Sequence, residues 1–466
     1  MIVALVVSFA FLMTNLDSNV MLTALPQMAK ELGTSPAHLS IAITAYAVSY
    51  AVFVPVSGWL ADRLGPRTVF TSAMAIFTVA SILCAVSNGL LELTFFRIVE
   101  GLGAAMMVPV GRLILLRTFD KSQFLRAMSY ATLPGLLGPI LGPPLGGFIT
   151  TFASWRWIFI FNVPFGLIGI ALALLLIRND HTQERRPFDW LGFVFVGVSV
   201  SAVMYLATVA TRPETSLLEI AVLVVVSLTA GVGVYVHERI HPAPLLDLNL
   251  LRLPTFRAMT IGGSLFNIAL TGAVFLQPIM LQIGFGMSAF ESGLFTLWGA
   301  IGFFISRSSP RPVLRRFGFR TVLVWGSILS GLVVLLNWFF TPDSPYAFMA
   351  FAFLAGGLTR SMVYLSLNTI CFSEVPESKM SGATGFSSMV QQLASGMGAT
   401  FGAIILQFSV TWGGRPMEAL TATDVQNCLL ICAVLGCLSG LTYLSLSPEA
   451  GAAFSGHKPA NRPKAA

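Results

Sequence analysis

The sequence predicts an all-α, polytopic membrane protein with fourteen transmembrane helices, grouped six, two and six. Three observations carry that expectation. Hydrophobic residues make up 55% of the chain and charged residues only 10%, against roughly 25% charged in soluble domains. Apolar stretches of the ~20 residues needed to cross a bilayer recur from one end of the chain to the other. The basic residues also segregate by loop. Of the 27 Lys and Arg, Arg97, Arg112 and Arg360 fall inside spans, and Lys30, Arg156, Arg212 and Arg415 lie on one face. The remaining 20 share the opposite face and the tail. Cytoplasmic loops carry such an excess, so both termini are expected inside the cell. One span more or fewer would scramble this pattern.

The first six spans are expected at about 2–25, 40–61, 69–88, 90–112, 127–150 and 156–177. An extra pair follows at about 189–210 and 217–237. The last six are at about 257–281, 289–306, 320–340, 346–368, 381–411 and 427–447. The first is read as a retained helix, because Met1 is followed by neither a basic segment nor a small-x-small cleavage site. Trp155 and Trp157 are expected in the outer aromatic belt. The thirteenth span is long enough to be broken. The domains are then a six-helix bundle (1–180), an inserted pair with a cytoplasmic linker (181–253), a second six-helix bundle (254–447) and a cytoplasmic tail (448–466).

ADRLGPR at 61–67 returns as LRRFGFR at 314–320, each after the second helix of its block. Arg63, Gly65 and Arg67 align with Arg316, Gly318 and Arg320, while Asp62 is matched by Arg315. Repeated halves with a binding site near the midplane characterise secondary transporters.

Charges inside the spans mark candidate function. An ionised Asp at a helix centre costs about 2.5–3.5 kcal/mol on insertion scales, so Asp17 must face a cavity, pair, or take a proton. Arg97 and Glu100 are three residues apart, nearly on one helix face. If Asp17 faces them, Arg97 can hold its charge in one state and release it in another. Arg112 near a helix end and Arg360 within the twelfth span are candidate substrate contacts. The fifth span carries Gly138, Pro139, Gly142, Gly146 and Gly147. Small residues four apart allow close helix approach, and proline bends the helix.

Five stretches together resemble the major facilitator superfamily. GWLADRLGPR (58–67) is similar to its loop 2–3 motif, with Gly58, Asp62, Arg63, Gly65 and Arg67 at motif positions. LTFFRIVEGLGAA (93–105) resembles the helix 4 motif with its intramembrane arginine, and GLLGPILGPPLGG (135–147) the helix 5 motif of drug:proton antiporters. NLDSNVMLTALP (15–26) and ASWRWIFIFNVPFG (153–166) resemble signatures of the fourteen-helix antiporter branch. The resemblance implies a proton-coupled exporter of amphipathic drugs in the bacterial inner membrane. It also implies that Asp62 latches the cytoplasmic side, and that Asp17, Arg97 and Glu100 couple protons. Two positions depart from the pattern. Glu100 stands where Gln is usual, and Pro66 where a basic or small polar residue is common. An exporter of an endogenous anionic metabolite is the alternative, motivated by Arg112 and Arg360.

Other classes fit poorly. HERIH (237–241) matches the H-E-x-x-H zinc-protease pattern. That chemistry needs both His on one helix face and a third ligand. Here the motif closes a span at the cytoplasmic surface, with Pro242 directly after it. No phosphate-binding G-x-x-x-x-G-K-[ST] stretch and no nucleic-acid motif occur. The five cysteines show no metal or redox spacing and read as buried free thiols. No enzyme activity and no cofactor are therefore expected. The partners are a small-molecule substrate, protons and lipid, and docking of a periplasmic adaptor is left open.

Overall fold

The computed structural model describes residues 1–34, 36–136, 148–149, 152–178, 187–209, 215–242, 244–308, 310–412 and 420–457. The described residues are almost entirely helical, with no strand among them. Among the described residues, ten helices are long and apolar enough to cross a membrane, or eleven if one bent pair counts as a span. Two compact units divide the chain. One holds Met1–Leu206, Ser216–Leu248 and Pro376–Met389; the other holds Ala207–Thr215, Asn249–Val375 and Val390–Ala466.

In the first unit, α1 (Ile2–Glu31) runs 30 residues. α2 (Pro36–Phe53) and α3 (Val56–Leu64) occupy the second expected span and bend by 56° where they meet. Pro55 stands at that break, where its missing N–H interrupts the helical ladder. α4 (Pro66–Val86) opens on Pro66, a residue pre-shaped for the first helical position. α5 (Leu90–Thr118) is the most enclosed span, with 78% of its apolar window buried. α6 (Lys121–Thr132), α7 (Arg156–Ile160) and α8 (Asn162–Leu176) complete the six-helix block as described.

Trp155 is fully buried, not interfacial. It packs in the apolar core with Met28, Leu39, Cys84 and Phe159. Its indole N–H donates to Glu31 at 2.8 Å, and Arg156 pairs with the same carboxylate at 3.0 Å. A buried indole needs such an acceptor. Glu31 supplies it by closing α1, whereas Trp157 is 54% exposed.

The inserted pair is α9 (Trp190–Val209) and α10 (Leu217–Ile240). Asp189 accepts the Gly192 N–H and Ser216 the Glu219 N–H, so each helix starts on a side-chain cap. Burial alone would raise the Asp189 pKa. Hydrogen bonds from the Gly192 and Leu245 N–H groups and from His237 overcome it and hold that carboxyl below its ordinary value. Only 6% of the apolar window of α10 is covered by protein. A helix so apolar and so bare has lipid as its natural neighbour.

In the second unit, α11 (Pro254–Arg257) and α12 (Gly263–Ile279) form one span, joined by a π-helical segment at Ala258–Gly262 and closed by another at Met280–Gly284. α13 (Ala289–Ser308), α14 (Pro310–Leu335), α15 (Tyr346–Ile370), α16 (Met380–Trp412) and α17 (Ala422–Thr442) follow, with the first turns of α16, up to Met389, belonging to the first unit. The thirteenth expected span is one continuous helix of 33 residues. At Gly357 an added Cβ would lie 1.9 Å from the Gly299 carbonyl. α13 and α15 therefore approach backbone to backbone, the packing small residues permit in membranes. In the tail, α18 (Ala452–Ser455) buries Phe454, and His457 Nδ1 meets the Arg315 carbonyl at 2.9 Å.

The internal repeat is conformational as well as textual. Gly65 has φ 86° and ψ 143°, and Gly318 has φ 73° and ψ 165°. Both occupy a region essentially reserved for glycine, and each begins a new run of helix.

Candidate functional site

α5 carries the charges at the centre of the first unit. Gly101 and Gly103 let it close on its neighbours: a Cβ on Gly101 would lie 2.6 Å from the Tyr46 carbonyl, and one on Gly103 would lie 2.8 Å from the Phe77 amide nitrogen. With α2 and α4 drawn in, Arg97 is 1% exposed and Glu100 fully buried. Arg97 Nη1 lies 2.7 Å from Asp17 Oδ2 and 2.7 Å from Glu100 Oε2. Asp17, Arg97 and Glu100 are thus brought together, two carboxylates on one guanidinium nitrogen. Removing such ions from water costs several kcal/mol each, and only close pairing offsets it.

Two further groups complete the cluster. The Tyr46 ring faces the guanidinium at 4.1 Å, within cation–π range. The Cys84 thiol contacts Glu100 Oε2 at 3.6 Å. Nothing in the sequence singled out Tyr46. Cys84 was visible only as a thiol in an apolar run. Asp17 Oδ1 has no hydrogen-bond partner among the described residues. The same side chain borders a small cleft lined by Leu16, Val20, Ile149, Ile158, Phe161 and Asn162. About 10 Å³ there admits the centre of a water molecule, room for roughly one water.

Asp62 forms a second polar site. Its Oδ1 accepts from Ser381 Oγ at 2.5 Å and from Arg117 Nη2 at 3.0 Å. Ser381 is the second residue of α16, so the carboxylate sits at a helix N-terminus, where the helix dipole favours an anion. Arg117 was read from sequence only as a loop cation. Gly58 explains the closeness: a Cβ there would lie 2.5 Å from the Ser381 carbonyl oxygen. Gly58→Ala should therefore cost about 1–3 kcal/mol of this packed arrangement, measured as a lower unfolding temperature and slower transport in vesicles. Arg63 stacks on Trp59 at 5.1 Å, Gly65 supplies the positive φ, and Arg67 is half-buried in the first turn of α4.

Arg112 is 4% exposed and does not snorkel to water; its Nη1 reaches Ser387 Oγ at 3.4 Å. Arg360 is half-buried, its guanidinium 5.3 Å from the Phe303 ring centroid. Gly138, Pro139, Gly142, Gly146 and Gly147 lie outside the described residues. The second unit also holds an uncharged polar network that sequence reading missed. Tyr364 donates to Gln391 at 3.2 Å, Gln391 to Asn368 at 2.9 Å, and Asn267 to Ser395 at 3.0 Å. Amides dispersed over three distant helices leave no local sequence signal.

A multi-span helical chain with buried ion pairs and polar networks in its spans has the make-up of a membrane transporter. The Major Facilitator Superfamily profile matches residues 7–399 and 312–466, and the chain belongs to that family. A relative in Escherichia coli O9:H4 (strain HS), provisionally named multidrug resistance protein MdtD, is 37% identical over 401 residues, covering 86% of this chain and 85% of that protein. The protein of the same name in Shigella boydii serotype 18 (strain CDC 3083-94 / BS512) matches equally over the same shares. Among solved structures, the human organic anion transporter MFSD10 (TETRAN) superposes with a TM-score of 0.68 at 14% identity, covering 95% of this chain and 99% of that one.

Proposed function

We propose that this transporter exports small amphipathic compounds in exchange for protons by alternating access. The supporting observation is the buried cluster of Asp17, Arg97 and Glu100 beside a cleft. With both carboxylates ionised the cluster carries one net negative charge; with one proton bound it is neutral. Buried charge is costly, so proton uptake and conformation are linked. The outward-facing state releases cargo and takes up H⁺ on Asp17 or Glu100, and deprotonation inside completes the cycle. Glu100 in place of the usual Gln gives the cluster its second titratable group.

The Asp62–Ser381–Arg117 contact acts in this scheme as a latch that breaks and re-forms in each cycle. Asp62→Asn keeps the shape but removes the charge. It should slow transport several-fold while leaving substrate binding intact, and an unchanged rate in vesicles argues against the latch. The protein resides in the bacterial cytoplasmic membrane with both termini inside, and its functional bundles are 1–180 and 254–447 around the pair in 181–253.

The test is efflux into everted vesicles under an imposed pH gradient, with a broad panel of dyes and drugs. Flux that ignores the gradient refutes the exchange. A second reading, export of an endogenous organic anion, is favoured by Arg112, whose buried Nε has no partner among the described residues, and by Arg360. Preference for organic acids over cationic dyes in the same vesicles selects it.

A further inference from the structure

The HERIH segment, dismissed above as a protease motif, meets a third group in space. Asp189, His237 and His241 each offer one donor atom, and these atoms all lie within 4.8 Å of one another. The two histidines are four apart, on one face at the end of α10, and their rings stack at 5.0 Å. His237 Nε2 is 2.8 Å from Asp189 Oδ1. The carboxylate is fixed from two sides, by the Gly192 N–H at 2.8 Å and the Leu245 N–H at 3.1 Å.

Another carboxyl lies close by. Glu238, between the histidines, is 5% exposed. Its Oε1 accepts the Leu246 N–H at 3.1 Å, while its Oε2 is buried with no partner among the described residues. Lys379 pairs with Asp247 at 2.6 Å.

We propose that Asp189, His237 and His241 bind one divalent transition-metal ion of the zinc class. Two imidazole nitrogens and a carboxylate oxygen are a donor set zinc accepts; magnesium and calcium prefer oxygen cages. Tetrahedral ligands each about 2.1 Å from one ion lie roughly 3.4 Å apart, so the Asp189–His237 pair must open slightly and His241 must swing inward. The ion takes the place of the hydrogen between Nε2 and Oδ1, and a neutral His237 then carries its proton on Nδ1. The site ties the start of α9, the end of α10 and the 241–247 linker together. Its role is structural, and it stands apart from the transport chemistry.

The test uses the full-length protein in detergent, any polyhistidine tag cleaved, stripped with a chelator and titrated with Zn²⁺ against a fluorescent competitor. One equivalent per chain should bind, unaffected by excess Mg²⁺ or Ca²⁺. His237→Ala and His241→Ala should each weaken it by at least about 10-fold, since loss of even an outer-shell partner costs 10–100-fold. Circular dichroism checks that the variants fold. Co²⁺ provides an independent measurement on the unaltered chain: ligand-field bands without a thiolate charge-transfer band are expected. Absence of stoichiometric binding, unchanged affinity in both folded variants, or a thiolate band placing the metal on a cysteine overturns the proposal.

Discussion

Arg97→Leu should destabilise the protein by about 3–5 kcal/mol, the cost of removing one partner from a buried ion pair. Arg97 is nearly inaccessible, and both Asp17 and Glu100 rest on the same Nη1. Without it, two carboxylates face each other in a membrane interior with the Tyr46 ring, the Cys84 thiol and the Ser81 side chain beside them. Unfolding in detergent by heat or denaturant reads the loss. The triple variant Asp17→Asn, Glu100→Gln, Arg97→Leu should recover most of it, because a neutral replacement of a buried ionic cluster is often near neutral in stability. If the single substitution costs under about 1 kcal/mol, the range of a surface pair, the charges do not hold the helices together.

Asp17→Asn should abolish gradient-driven efflux to the level of vesicles with no gradient, while folding is preserved. Asparagine keeps the shape and one carbonyl oxygen toward Arg97 but cannot bind and release H⁺. Substrate counterflow in the absence of a gradient should survive, which separates lost coupling from lost binding. Glu100→Gln should retain part of the driven flux if Asp17 is the principal proton carrier. Near-normal driven efflux in Asp17→Asn refutes its coupling role.

The architecture was legible because bilayer physics writes long-range rules into local sequence. Span length and the glycine-bearing repeat can each be read without knowing any contact. The cluster was half legible for the same reason. Asp17 stood out as a cost in an apolar run, and Arg97 and Glu100 share a face by helical spacing alone. Tyr46 did not stand out, because a tyrosine in a span has many ordinary uses and only packing brings its ring to 4.1 Å from the guanidinium. Ser381 was hidden for another reason: its value to Asp62 depends on Gly58 admitting a helix terminus across 319 positions of sequence. Trp155 was misplaced because interfacial and buried tryptophans have the same composition around them. HERIH was judged on its helix alone, and its third group comes from the preceding span.

The two repeat glycines have a consequence for how the duplicated halves diverged. Asp62 has become Arg315 in the second copy, a reversal of sign, yet Gly65 and Gly318 share a backbone twist. The sign of the charge at that corner differs between the copies, whereas its handedness is kept. A mirror-image alanine introduced by semisynthesis should accept the backbone angles of either corner, and its natural enantiomer should be strained at both.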